Sequence, residues 1–164
     1  MSDILQVQDK RRTFIDTLNK LAENDPKIVV IIPDVGFNYL SEPHKFKTMN
    51  LGVTEQSCVM IAVGLAQQGW KVYVYSMINF VLFRPAEMVR NGIVLHHANV
   101  KLIGVKGSEK YKFLGFSHNL IHDNEDSNFC DNIGLKWHKP QTNEEVKKVI
   151  EESYKSESPA YIRL

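Results

Sequence analysis

Two periodicities divide this chain. Ile28-Val29-Val30-Ile31-Ile32 is a continuous β-branched run, the pattern of a strand buried on both faces. Further strands are predicted at 71–77, 101–105 and 160–164, with shorter ones at 46–50 and 135–140. Between them, apolar residues recur every three or four positions. Phe14, Ile15, Leu18 and Leu21 predict an amphipathic helix over 8–24, ended before Asp25-Pro26. A second helix covers 57–66 and stops at Gln67-Gln68-Gly69. A third runs from Phe80 to about Asn99, with Pro85 near its first turn. A weak helix is expected near 124–132, and a stronger one from Asn143 to Tyr154 on the stripe Val146, Val149, Ile150. Residues 37–45 and 106–123 follow neither period and read as loops; the second is long enough to be functional.

Strands alternating with helices imply an α/β fold: three layers, α/β/α, around a six-stranded parallel sheet with right-handed crossovers. In such sheets ligands gather beyond the carboxyl ends of the strands. Asp34, Glu55, Phe80 and the 106–123 loop all fall at that edge.

Composition narrows the function. The 164 residues suit one domain with a full core, taken as 1–164. A formal net charge of +1 with no basic block gives no reason to expect nucleic acid, and no apolar run is long enough for a membrane span. The first residues lack a signal-peptide layout, so a cytoplasmic protein is expected. Cys58 and Cys130 read as buried thiols in a reducing compartment.

The chemistry converges on one turn. Asn50-Leu51-Gly52-Val53-Thr54-Glu55 leads from a strand end into a helix, with Thr54 as N-cap. That helix has almost no polar face, so it belongs in a core or at a subunit interface. Glu55 is either an ordinary first-turn acid favoured by the helix dipole, or a carboxylate set against apolar surface for a purpose. Other candidates are weaker. Arg84 and Arg90 read as exposed helix arginines, and His118-x3-His122 has no third fixed ligand for a metal.

Gly52-Val53-Thr54-Glu55, a mostly apolar helix, a strand, then Asn79-Phe80-Val81-Leu82-Phe83, and later Gly115-Phe116-Ser117-His118, resembles the pyrimidine-binding domain of transketolases and related thiamin diphosphate enzymes. The resemblance runs from about Ile28 to Arg163. It implies that Glu55 binds N1′ of the cofactor's aminopyrimidine, and that Phe80 stacks on that ring with Phe83 beside it. Met77 would replace another family aromatic, and Asp34 would match the acid of the first strand-end loop. His118 would contact substrate oxygens. A carboxyl group sharing a proton with N1′ favours the tautomer that forms the C2 ylid, which attacks a ketose phosphate or 2-keto acid.

The chain departs from the family in informative ways. It has no Gly-Asp-Gly, the motif that holds the diphosphate and its Mg²⁺, so both are expected on a separate partner subunit. The implied assembly is a homodimer inside a hetero-oligomer such as α2β2, with helix 57–66 at a two-fold interface. Lys112-Phe113-Leu114-Gly115 stands where transketolases carry an acid that recognises a sugar hydroxyl. The small subunit of a 2-keto acid decarboxylase and a non-catalytic α/β interaction module are therefore the alternatives.

Overall fold

A computed structural model describes residues 2–107 and 109–164. Ser108, within the loop expected at 106–123, lies outside the described residues. Six parallel strands form one sheet: β1 (Ile28–Ile32), β2 (Lys47–Asn50), β3 (Lys71–Met77), β4 (Val100–Val105), β5 (Trp137–His138) and β6 (Ala160–Arg163). Their order is β2-β1-β3-β4-β6-β5. Helices cover both faces, giving the expected α/β/α layers.

Alternate residues of each central strand feed opposite cores. Val29, Ile31, Val72, Val74 and Leu102 meet α3 (Glu55–Gln67) and α5 (Glu125–Ile133) on one side. Val30, Ile32, Tyr73, Tyr75 and Ile103 meet α1 (Ser2–Ala22) and α6 (Asn143–Lys155) on the other. Each fully buried Val or Ile contributes about 1.5–3 kcal/mol. The central strands are thus much better anchored than the partly exposed edge strands β2 and β5. Strand β5 holds only two residues of the predicted 135–140. Leu135 instead closes α5, its N–H donating to the Cys130 carbonyl at 2.9 Å after Gly134 turns left-handed.

Helix α1 begins before the predicted residue 8, because no proline or glycine interrupts 2–22. Helix α6 starts at a reciprocal cap. Thr142 Oγ1 accepts from Glu145 N–H at 3.2 Å, and Glu145 reaches back to Gln141 N–H at 2.6 Å. In the predicted loop 37–45, one short turn, α2 (Phe37–Leu40), forms.

The largest difference from expectation falls over 80–99. No continuous helix forms there. A π-helical turn covers Asn79–Phe83, α4 spans Ala86–Met88, and a second π segment covers Val89–Val94. Pro85 has no N–H to give to an α ladder. The Arg84 N–H instead donates five residues back, to the Asn79 carbonyl, at 2.9 Å. Residues 95–97 are a turn, with His97 at φ 49°. Helix α3 lies close to this segment: a Cβ on Gly92 would meet Met60 Sδ at 2.9 Å.

Lys101 is a buried cation on β4. Its Nζ donates to the Ser156 carbonyl at 2.8 Å and to Asn99 Oδ1. Burial, helped by nearby Lys71, pushes its pKa down from 10.5 to about 8. Between those values the unfolded chain binds more protons at this site, so its contribution to stability rises with pH. Burial pushes Cys130 up to about 12, which works the other way above its ordinary value of 9.0. The thiol is common to wild type and variant, so the difference between them isolates the amine. Lys101→Met is expected to lose stability relative to wild type as pH climbs from about 8 to 10.5. Urea midpoints across that range measure it; parallel curves would refute the assignment.

Candidate active site

Strand β1 leads to β2 on one side and, through α3, β3 returns on the other, so the loops leaving β1 and β3 part at their carboxyl ends. A cleft of about 380 Å³ opens there. Asp34, Met77, Phe80 and His118, all expected at a site, line it together. Asp34 takes a left-handed backbone (φ 65°), a conformation Asp tolerates. Its N–H donates to Asn50 Oδ1 at 3.2 Å, and the same oxygen takes the Gly52 N–H at 3.0 Å. One side chain thus pins both the Asp34 loop and the turn that leads to Glu55. Gly36 (φ 103°) passes so close to Tyr75 that a Cβ would lie 2.4 Å from its ring.

Glu55 opens α3 beside this cleft, in a neighbouring recess it shares with Val53, Gln56 and Arg84. Thr54 holds the N-cap position without a side-chain cap; its hydroxyl donates back to the Leu51 carbonyl at 2.9 Å. The α3 face carrying Cys58, Val59, Ala62 and Val63 is core, while Met60 and Ile61 on the other face are exposed. Both cysteines are free and buried.

Arg84 departs from its expected role as a bystander. Its Nη1 lies 2.6 Å from Glu55 Oε1, and its Cζ stands 4.0 Å from the centroid of the Phe80 ring. The Glu55 side chain is 10% exposed and that of Arg84 44%. The five-residue π spacing brings Arg84 back over Asn79 and Phe80. Phe83 points elsewhere, edge-on to Phe129 with centroids 5.9 Å apart, and does not line the cleft.

His118 packs nearly perpendicular to Phe80 with centroids 4.9 Å apart, and its Nδ1 lies 2.7 Å from Ser117 Oγ. The segment before it is a 3-10 helix, Glu109–Ser117, broken at Gly115 (φ 61°), rather than a plain loop. Its carbonyls are satisfied from a distance. Asn79 Nδ2 donates to the Phe116 and Asn119 carbonyls at 2.9 and 3.4 Å. Asn119 Nδ2 donates to those of Tyr111 and Gly115 at 3.0 and 2.8 Å.

Below His118, Asp123 bonds Lys139, Lys106 and Arg163. Lys139, then Lys106, hold its carboxyl well below the ordinary range, so it is committed to cations of this chain. Buried Asp126 pairs with Arg163 at 3.2 Å and accepts from Tyr161 Oη at 2.7 Å. That network ties the loop to β6.

Sequence reasoning missed Arg11, Tyr39, Lys106 and Tyr111 on the cleft wall. Arg11 comes from α1, its Nη1 3.3 Å from Tyr39 Oη, and its buried Nε has no partner among the described residues. Nothing in its local pattern separates it from its neighbours Lys10 and Arg12. Among the described residues no three His, Cys, Asp or Glu side chains converge to hold a metal.

The site thus presents a mostly buried carboxylate, a stacking ring and a histidine at the switch point of a parallel sheet. A flat, nitrogen-rich group fits between the first two, because the Arg84 guanidinium already lies against both. Residues 7–164 match the family model for the transketolase pyrimidine-binding domain, and the chain belongs to that family. It is 34% identical over 117 residues to one subunit of an apulose-4-phosphate transketolase from Phocaeicola vulgatus, covering 69% of this chain and 38% of that one. It is 24% identical over 159 residues to a 6-deoxy-6-sulfo-D-fructose transketolase subunit of a Clostridium species, covering 94% and 48%. A solved split-gene transketolase, described as an inactive beta4 tetramer, superposes with a TM-score of 0.78 at 26% identity, over 94% of this chain and 50% of that one. The chain therefore spans half or less of the length of these proteins.

Asn79→Ala removes the amide that holds the 3-10 segment. Amide exchange over 111–119 is expected to speed up by roughly ten-fold, the loss of about one net hydrogen bond. The melting temperature should change little, since that segment is largely exposed. Unchanged exchange would show that Asn79 does not restrain the loop.

Proposed function

We propose that this chain is the pyrimidine-binding subunit of a two-chain, thiamin diphosphate-dependent transferase of transketolase type. A partner chain supplies the diphosphate and Mg²⁺ sites. Family membership and relatives named as subunits support this reading. The observation that carries it is the Glu55 carboxylate beside the Phe80 ring, with a flat cationic group already fitted against both.

When bound, the cofactor supplies a carbon nucleophile and an electron sink for a carbonyl carbon. In this reading Glu55 holds a proton at ring nitrogen N1′, and its mostly buried setting strengthens that bond. Phe80 orients the ring plane. His118, Asp34 and Met77 line the cleft in which, on this reading, the substrate would sit. Arg11 and Lys106 add positive charge to the wall, which suits a phosphorylated ketose or a 2-keto acid. The exposed Met60 and Ile61 of α3 suit a two-fold contact with a second copy inside a hetero-oligomer.

No acid stands at 112–115, shortly before His118; Lys112, Phe113, Leu114 and Gly115 are there, Phe113 81% exposed. This keeps decarboxylation of a 2-keto acid as a second reading. A ketose donor against CO₂ release separates the two.

Reconstitution with a Gly-Asp-Gly-bearing partner, thiamin diphosphate and Mg²⁺ tests the proposal. Glu55→Gln is expected to assemble normally and lose roughly 10²–10⁴-fold in kcat. Unaltered turnover in that variant, or no cofactor retained with any such partner, would end the proposal.

A further inference from the structure

We infer that Arg84 is a built-in occupant of the seat between Glu55 and Phe80, and that the aminopyrimidine of the cofactor must displace it. The inference rests on the reading of those two residues proposed above. A guanidinium is flat, delocalised and rich in donors at its rim. Those features are what a carboxylate and an aromatic face would select in an aminopyrimidine. The Arg84 guanidinium takes both contacts at once, 2.6 Å from the carboxylate and 4.0 Å from the ring centroid.

Two flat groups cannot share one face of a ring, since stacked atoms need about 3.5–4 Å. The face of Phe80 that Arg84 covers is the one beside Glu55, because the guanidinium contacts both, so a group that reaches the carboxylate and stacks on the ring must take that face. Phe80 is otherwise only 4% exposed, where it lines the cleft next to His118. Arg84 is the group that can leave. Its side chain is 44% exposed and can swing into water, whereas Glu55 is fixed in the first turn of α3 and Phe80 is buried in the π-helical turn.

The arrangement also has a reason in the unliganded chain. A mostly buried carboxylate without a partner is costly. Arg84 answers that charge until another donor arrives, so the seat is never left open. Cofactor binding then becomes an exchange of one flat donor for another, and its affinity is lowered by the contacts Arg84 gives up.

The test uses this chain alone and a probe that needs neither metal nor partner. The probe is the hydroxymethyl aminopyrimidine that forms the cofactor's head group, titrated by NMR. Arg84→Ala is expected to bind it roughly ten-fold more tightly than wild type, the order set by one charge-assisted bond and one exposed cation–π contact. Arg84→Gln should shift the same way, and melting curves establish that each variant is folded. Glu55→Gln should lose the probe. If neither Arg84 variant binds more tightly while Glu55→Gln does lose the probe, displacement is wrong and the proposed function stands. If Glu55→Gln binds as well as wild type, or no chain binds at all, the seat itself fails and both proposals fall.

Discussion

The sheet depends on β1 being buried on both faces and flanked by β2 on one side and β3 on the other. Five consecutive apolar residues fill two cores at once, so β1 has no face to give to solvent. Strand β2 can then lie only outside it, and α3 must cross the sheet to reach β3. The crossing separates the two carboxyl-end loops and opens the cleft between them. Asp34, at the end of β1, and Glu55, after β2, are brought beside Phe80, after β3, by that one arrangement.

Polar side chains then lock what the apolar core has placed. Asn50 serves the Asp34 loop and the Glu55 turn with one oxygen. Asn79, one residue before Phe80, stitches the His118 segment to the ring wall. Asp126 and Arg163 anchor the far end of that segment to the last strand, where burial makes an unpaired charge expensive. A long irregular segment is thereby held more firmly than its own residues could hold it.

The π-helical turn after β3 shapes the chemistry most. Inserting one residue per turn changes which side chains share a face. Phe80 looks into the cleft, Phe83 turns to Phe129, and Arg84 comes back over Phe80 to reach Glu55. Phe80 lines the cleft, and the Glu55–Arg84 pair, in contact with its ring through Arg84, lines the neighbouring recess.

The sequence by itself determined the strands, the layers and four residues of the cleft. Burial on both faces writes continuous apolar runs such as 28–32, and helical spacing writes the stripes of α1 and α6. Asp34, Phe80 and the segment that carries His118 were legible because ligands gather at the carboxyl edge of a parallel sheet, while Met77 and His118 themselves were picked out by the resemblance to the pyrimidine-binding domain. Only the tertiary structure decided the rest. The 3-10 segment before His118 depends on amides from Asn79 and Asn119, and the first of these lies far away in the chain. Arg11 reaches the cleft from α1, and Arg84 meets Glu55 across 29 positions. Such contacts obey no local period, because distance in space, not spacing along the backbone, sets which charges and rings meet.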